Sequence, residues 1–190
     1  MRITSALAAA AIIGGLTACD LIGPRAVSSV ANNYNPAEYA QAAKASPIPV
    51  TVTGNALGMS GPGLTKAVID DMTGQDWAPH ARFAPASDVT QGSTFSFAIM
   101  LNGPNGVTGA SLCGRQAALT GAATPSNGGD VLLIAGLCRY DQAVTNVEVR
   151  ISGATGPSDP KFAGMIATAV RSLTPPIVTN RMNDTNSDSK

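Results

Sequence analysis

Alternating apolar and polar positions predict most of the strands of this chain. In residues 93–101, four large side chains recur at every second position, which places them on one face of a strand: Phe95, Phe97, Ile99 and Leu101. Residues 147–151 alternate in the same way, whereas residues 131–138 contain no polar side chain. Such a continuous run predicts a central strand that is covered on both faces. A β-branched run at residues 50–53 and a hairpin return at residues 107–113 are the other predicted strands.

Two further segments follow the 3.6-residue period of an amphipathic helix. Leu64, Val68 and Met72 form one apolar stripe in the first. In the second, Asp159 can cap the helix and Pro160 suits its first position. The apolar face that follows is shared by Phe162, Met165, Ile166, Ala169, Val170 and Leu173.

The order of these elements predicts one α+β domain over residues 50–176. We expect a mainly antiparallel sheet of about four to five strands with two packed helices. Residues 19–49 are broken by Pro and Asn, so we interpret them as a tether that carries one short helix. Residues 177–190 are polar and short-chained, and disorder is expected there.

The N-terminus has the parts of a secretory signal peptide over residues 1–18. Arg2 supplies the cationic start, and an apolar run follows that is shorter than the roughly 20 residues a membrane span requires. Small residues then precede a cysteine. The sequence therefore predicts export.

Leu16-Thr17-Ala18-Cys19 resembles the lipobox of bacterial lipoproteins, a likeness confined to about the first twenty residues. The resemblance implies cleavage before Cys19, a diacylglycerol thioether on its sulfur and acylation of the new amino group. The protein would then be anchored to the bacterial cell membrane and face the periplasm. Asp20 resembles the signal that retains enteric lipoproteins at the inner membrane, which slightly favours the inner over the outer membrane. An ordinary secretory signal, with its cysteine in a disulfide, is the alternative.

The cysteine count agrees with lipidation. The chain has three cysteines, so assigning Cys19 to the lipid leaves Cys113 and Cys138 as a pair. The periplasm permits disulfides, and we expect one between these two residues.

Charge and aromatic content exclude some classes of partner. Twelve basic and twelve acidic residues balance, aromatic residues make up 4% of the chain, and Trp77 is the single tryptophan. Nucleic-acid binding relies on basic patches and stacking rings, so we expect no nucleic-acid partner.

Candidate chemistry is sparse, and we expect no catalytic residues, metal or cofactor. His80 is the single histidine; with Trp77 and Arg82 it forms a weak candidate ligand site in an irregular loop over residues 76–90. Ser158 and Lys161 have the Ser-x-x-Lys spacing, but the companion motifs of the penicillin-binding enzymes are absent. Gly61-Pro62-Gly63 lacks the rest of a phosphate loop, and Asp70-Asp71 suits a solvated helix face.

These observations favour a non-enzymatic interaction or accessory role at the cell envelope, with the membrane and an envelope protein as partners. A periplasmic small-ligand binding module is the alternative, and a hydrolase is third.

Overall fold

The computed structural model describes residues 23–30, 33–90, 92–114 and 129–177 of the 190-residue chain. The strands are β1 (Arg25–Val30), β2 (Ile48–Ala56), β3 (Met59–Ser60), β4 (Phe83–Pro85), β5 (Phe95–Leu101), β6 (Val131–Arg139) and β7 (Gln142–Ile151). The helices are α1 (Pro36–Ala45), α2 (Gly61–Met72), α3 (Gly109–Leu112) and α4 (Pro160–Leu173), with a 3₁₀ turn at Ala86–Asp88.

All seven strands join one mixed sheet, so the fold class is α+β, as predicted. Its order is β1-β7-β6-β5-β2-β3, and β4 also pairs with β2. Strand β2 is parallel to β5 and to β4, whereas the other pairs are antiparallel. The prediction of a mainly antiparallel sheet of four to five strands is therefore wrong. Strands β1, β3 and β4 are too short or too exposed to carry an alternating pattern, and the connection through α2 brings β5 parallel to β2.

One face of the sheet carries the main core. The predicted phenylalanine face of β5 is fully buried, and Tyr39 of α1 meets Phe95 edge to face with ring centroids 5.5 Å apart. Helices α2 and α4 bury the stripes predicted for them, including Leu64 and Phe162. The Asp159 carboxylate caps α4 by accepting a hydrogen bond of 2.9 Å from the Lys161 backbone. Within the described residues, no helix combines the length and apolarity needed to cross a membrane.

The opposite face carries a smaller core beneath α3. Cys113 and Cys138 are joined there by a disulfide, with their Cα atoms 5.5 Å apart, beside buried Met100 and Ile134. The predicted hairpin strand at residues 107–113 is wrong, because this segment turns into α3. Thr108 starts α3 by exchanging hydrogen bonds with Ser111, a local preference that the apolar pattern does not reveal.

Both β1 and α1 lie within residues 19–49, the segment interpreted as a tether. Strand β1 pairs with β7 along its length, and α1 buries Tyr39 and Ala43 completely. The predicted domain start at residue 50 is thus too late. The short helix predicted in this segment is α1, whereas an edge strand exposed on both faces leaves little apolar signal in the sequence. Residues 1–22 and 178–190, which include the predicted signal peptide, Cys19 and most of the predicted tail, lie outside the described residues.

Candidate functional site

The loop between α2 and β4 holds the three residues that the sequence analysis singled out. Trp77 is 36% exposed, and His80 and Arg82 are also exposed. His80 has a φ of 66°, in the left-handed region that side-chain-bearing residues seldom adopt. The backbone carbonyl of Arg82 accepts a hydrogen bond of 2.8 Å from the Ile48 amide, which fixes the end of the loop to β2.

The centre of this loop is Asp76, which the sequence analysis did not single out. Its carboxylate accepts a hydrogen bond from the buried Tyr39 hydroxyl of α1 and another, of 2.9 Å, from the Ala78 amide. No local pattern could reveal this role, because Tyr39 lies 37 residues earlier in the chain. We call this arrangement of Asp76, Tyr39, Tyr34, Trp77 and Thr174 the Asp76 cluster.

Burial controls the electrostatics of the Asp76 cluster. Desolvation raises the pKa of Asp76, although hydrogen bonds from Ala78, Tyr39, Trp77 and Thr174 act in the opposite direction. Desolvation also raises the pKa of Tyr34 to about 12; the Trp77 side chain opposes this rise and the Asp76 carboxylate adds to it. The pKa of Tyr39 is raised for the same reasons, by burial first and then by the adjacent carboxylate. Both phenols therefore remain protonated at neutral pH.

The Asp76 cluster connects three parts of the fold. Tyr39 belongs to α1, Asp76 and Trp77 belong to the loop, and Thr174 ends α4. A second link is the hydrogen bond of 2.7 Å from the Arg171 guanidinium to the Gln75 side chain. The cluster thus fixes the loop at Asp76 and Trp77 to α1 and to the end of α4.

The other candidate motifs have structural roles. Lys161 donates a hydrogen bond of 3.3 Å to the Ser152 carbonyl oxygen, and its neighbour Asp159 caps α4. Asp70 forms an exposed ion pair of 2.6 Å with Lys66. Burial, with Asp70 close by, raises the pKa of Asp71. Across the described part of the chain, no group of three or more histidine, cysteine or acidic residues is placed to hold a metal ion.

A second candidate surface is the outer edge of the sheet at β1. The side chains from Arg25 to Ser29 are exposed, and Val27 is 77% exposed. Strand β1 pairs only with β7 among the described strands. Its outer edge therefore presents backbone hydrogen-bonding groups and an aliphatic side chain together.

No protein-family model and no curated protein matches this chain. Two solved structures that resemble it are of PelC dodecamers from Paraburkholderia phytofirmans. The first has a TM-score of 0.44 and 12% identity, and the match covers 80% of this chain and 96% of that chain. The second, a leucine-to-methionine variant, has a TM-score of 0.41 and 10% identity over the same shares of the two chains.

Proposed function

We propose that this is a lipid-anchored cell-envelope protein with a non-enzymatic interaction or accessory role, carried out through the edge of its sheet. The single observation that carries the proposal is the position of β1. It begins at Arg25, six residues after the predicted lipid cysteine Cys19, and its side chains from Arg25 to Ser29 are exposed. The disulfide between Cys113 and Cys138 also supports export, because such bonds persist in oxidising compartments.

An exposed edge strand is a site for strand addition. A partner segment in extended conformation can pair with its free backbone groups, while pockets or exposed side chains select the sequence of the partner. Val27 is exposed in the middle of β1, where proteins that avoid such pairing usually place a charged residue. We infer that an envelope protein docks along β1.

Lipidation is tested on the protein isolated from membranes. Mass spectrometry of the mature N-terminus should find Cys19 acylated, and Cys19→Ala should move the protein to the soluble fraction. The melting temperature should not change, because Cys19 precedes β1. An unmodified N-terminus on a soluble protein would contradict the anchor.

Docking along β1 is tested by a photocrosslinking residue placed at position 27 in living cells, with position 177 as a control. Ile177 is a matched site because it is an aliphatic residue with 74% exposure. We expect a discrete crosslinked protein from position 27, lost when Ser28→Lys is added at the edge. Equal crosslinking from both positions would contradict a role for β1.

Binding of a small ligand at the Asp76 cluster is the second candidate function. The observation that favours it is the partly exposed Trp77 next to the partly buried carboxylate of Asp76. Because Trp77 is the single tryptophan, its fluorescence reports on this loop alone. A saturable change with a periplasmic extract fraction, absent in Arg82→Gln, would move this function to first place.

A further inference from the structure

Two arginines lie side by side at the start of the sheet edge. Arg25 of β1 is directly opposite Arg150 of β7 in the strand register, so both side chains project from the same face. Both residues are exposed. Like charges at opposed positions destabilise a strand pair, so the fold gains nothing from this arrangement.

The charged groups of the neighbouring segments are one further cation and three carboxylates. The Lys161 ammonium is 3.3 Å from the carbonyl oxygen of Ser152, two residues after Arg150. Glu148 accepts both of its hydrogen bonds from Arg150, which leaves further guanidinium N–H groups of Arg150 available. Asp159 is occupied by its capping bonds.

The third carboxylate is farther away. Asp130 precedes β6, which lies two strands from β1, or about 10 Å across the sheet. Within the described residues Arg25 makes no ion pair. Among the described residues, Arg25 is therefore an unpaired cation at the β1 edge, beside Arg150, which is paired with Glu148.

The chain length places this edge close to the predicted anchor. Arg25 is six positions after Cys19, and a fully extended segment of that length spans at most about 20 Å. The turn at Asp141, at the other end of β7, lies about 30 Å from Arg150 along the strand. A lipid on Cys19 would therefore keep Arg25 and Arg150 nearer to the membrane than the opposite end of the sheet.

We propose that Arg25 and Arg150 bind the phosphate groups of anionic phospholipids and so hold the domain with the start of β1 facing the membrane. The proposal rests on the lipid anchor proposed above. Arginine suits this role because its planar guanidinium donates paired hydrogen bonds to phosphate oxygens. Each cation near an anionic surface strengthens membrane association by about five-fold.

The experiment uses protein isolated from membranes, with its acylation first measured by mass spectrometry. A donor fluorophore is attached to a cysteine introduced at Ser152 or, in a second sample, at Asp141. The protein is reconstituted into phosphatidylcholine vesicles with or without phosphatidylglycerol, together with an acceptor-labelled lipid. We expect phosphatidylglycerol to increase energy transfer from position 152 and not from position 141, and high salt to remove the increase.

Matched variants separate the arginine pair from general charge. Arg25→Gln/Arg150→Gln should lose the response to phosphatidylglycerol, and Arg25→Lys/Arg150→Lys should keep it. Lys44→Gln/Arg171→Gln removes the same charge from the opposite end of the sheet and should also keep it. An unchanged melting temperature shows that each variant is folded.

Energy transfer that is independent of phosphatidylglycerol, or equal in the glutamine variant, would overturn the proposal even if Cys19 is acylated. If the mass shows no lipid, the anchor fails, and the arginine pair is tested by cosedimentation with phosphatidylglycerol vesicles. The glutamine variant should then bind about five-fold more weakly for each arginine removed. Equal binding would overturn the arginine proposal as well.

Discussion

At the scale of single residues, the tyrosine hydroxyl buried on Asp76 is the contact most open to measurement. Tyr39 is fully buried, and its hydroxyl donates to a carboxylate that is itself partly desolvated. Tyr39→Phe would remove one of the hydrogen bonds that this carboxylate accepts. Because a buried acceptor without its partner costs about 1 to 3 kcal/mol, we expect the free energy of unfolding in urea to fall by that amount.

Tyr140→Phe is the matched control. Tyr140 is 72% exposed in the turn between β6 and β7, so removal of its hydroxyl should leave the free energy of unfolding unchanged. Equal effects of the two substitutions would show that the Asp76 contact contributes nothing to stability.

The raised pKa of Asp76 predicts a pH dependence with a definite sign. A carboxyl group whose folded-state pKa lies above its unfolded value binds more protons in the folded protein. Its contribution to stability is therefore largest below the unfolded pKa and falls as the pH rises through the folded pKa.

Asp76→Asn removes this titration but keeps an oxygen that can accept from Tyr39. Urea unfolding of both proteins from about pH 3 to pH 7 should show the wild type losing stability relative to Asp76→Asn as the pH increases. A difference that stays constant across this range, or that grows in favour of the wild type, would contradict the buried-charge account.

At the scale of elements, the close packing of α3 on the sheet depends on a glycine, Gly109. A Cβ atom added at Gly109 would overlap the Ala135 carbonyl of β6 and approach the Asn146 side chain. Gly109→Ala should therefore lower the free energy of unfolding by about 1 to 3 kcal/mol, since backbone must move to admit the methyl group.

Gly63→Ala in α2 is the control, because its nearest neighbour is the flexible end of Met59 at 3.5 Å. That substitution should stabilise the protein by about 0.5 to 1 kcal/mol through helix propensity. Differential scanning calorimetry of both variants checks the opposite signs. A stabilising Gly109→Ala would mean that α3 is not packed closely on the sheet.

Sequence patterns identified the elements that bury a regular face and missed several that do not. Helix α4 and strand β6 were predicted because their apolar residues follow a period or fill every position. Strand β1 is exposed on both faces, and α3 has four residues, too few to show a period. Parallel pairing of β2 with β5 was missed because strand direction depends on the α2 crossover and not on side-chain pattern.

The sequence also revealed only part of the candidate site. Trp77, His80 and Arg82 were placed in one loop because rare residue types stand out in a chain poor in aromatics and histidine. Asp76 was missed as its centre, because its role depends on Tyr39 and Thr174, which are distant in sequence. Contacts between distant segments are set by packing, and one chain read alone does not reveal them.

At the scale of the whole molecule, the disulfide links α3 to β6 and closes a loop with a sequence separation of 25 residues. Such a crosslink stabilises a fold mainly by restricting the unfolded chain, by about 3 to 4 kcal/mol for a loop of this size. This is a large share of the roughly 5 to 15 kcal/mol by which single domains are stable. The fold should therefore depend on an oxidising compartment, in agreement with the predicted signal peptide.

Reduction and substitution test this dependence together. We expect dithiothreitol to lower the free energy of unfolding of the wild type by about 3 to 4 kcal/mol, and Cys113→Ala/Cys138→Ala to show a similar loss without reductant. Adding dithiothreitol to the double variant should then change nothing, because Cys19 is its single cysteine and has no other cysteine in the chain to pair with. If the reduced wild type and the oxidised wild type unfold at the same urea concentration, the small core beneath α3 holds that face without its covalent link, and the stability of the domain is independent of export.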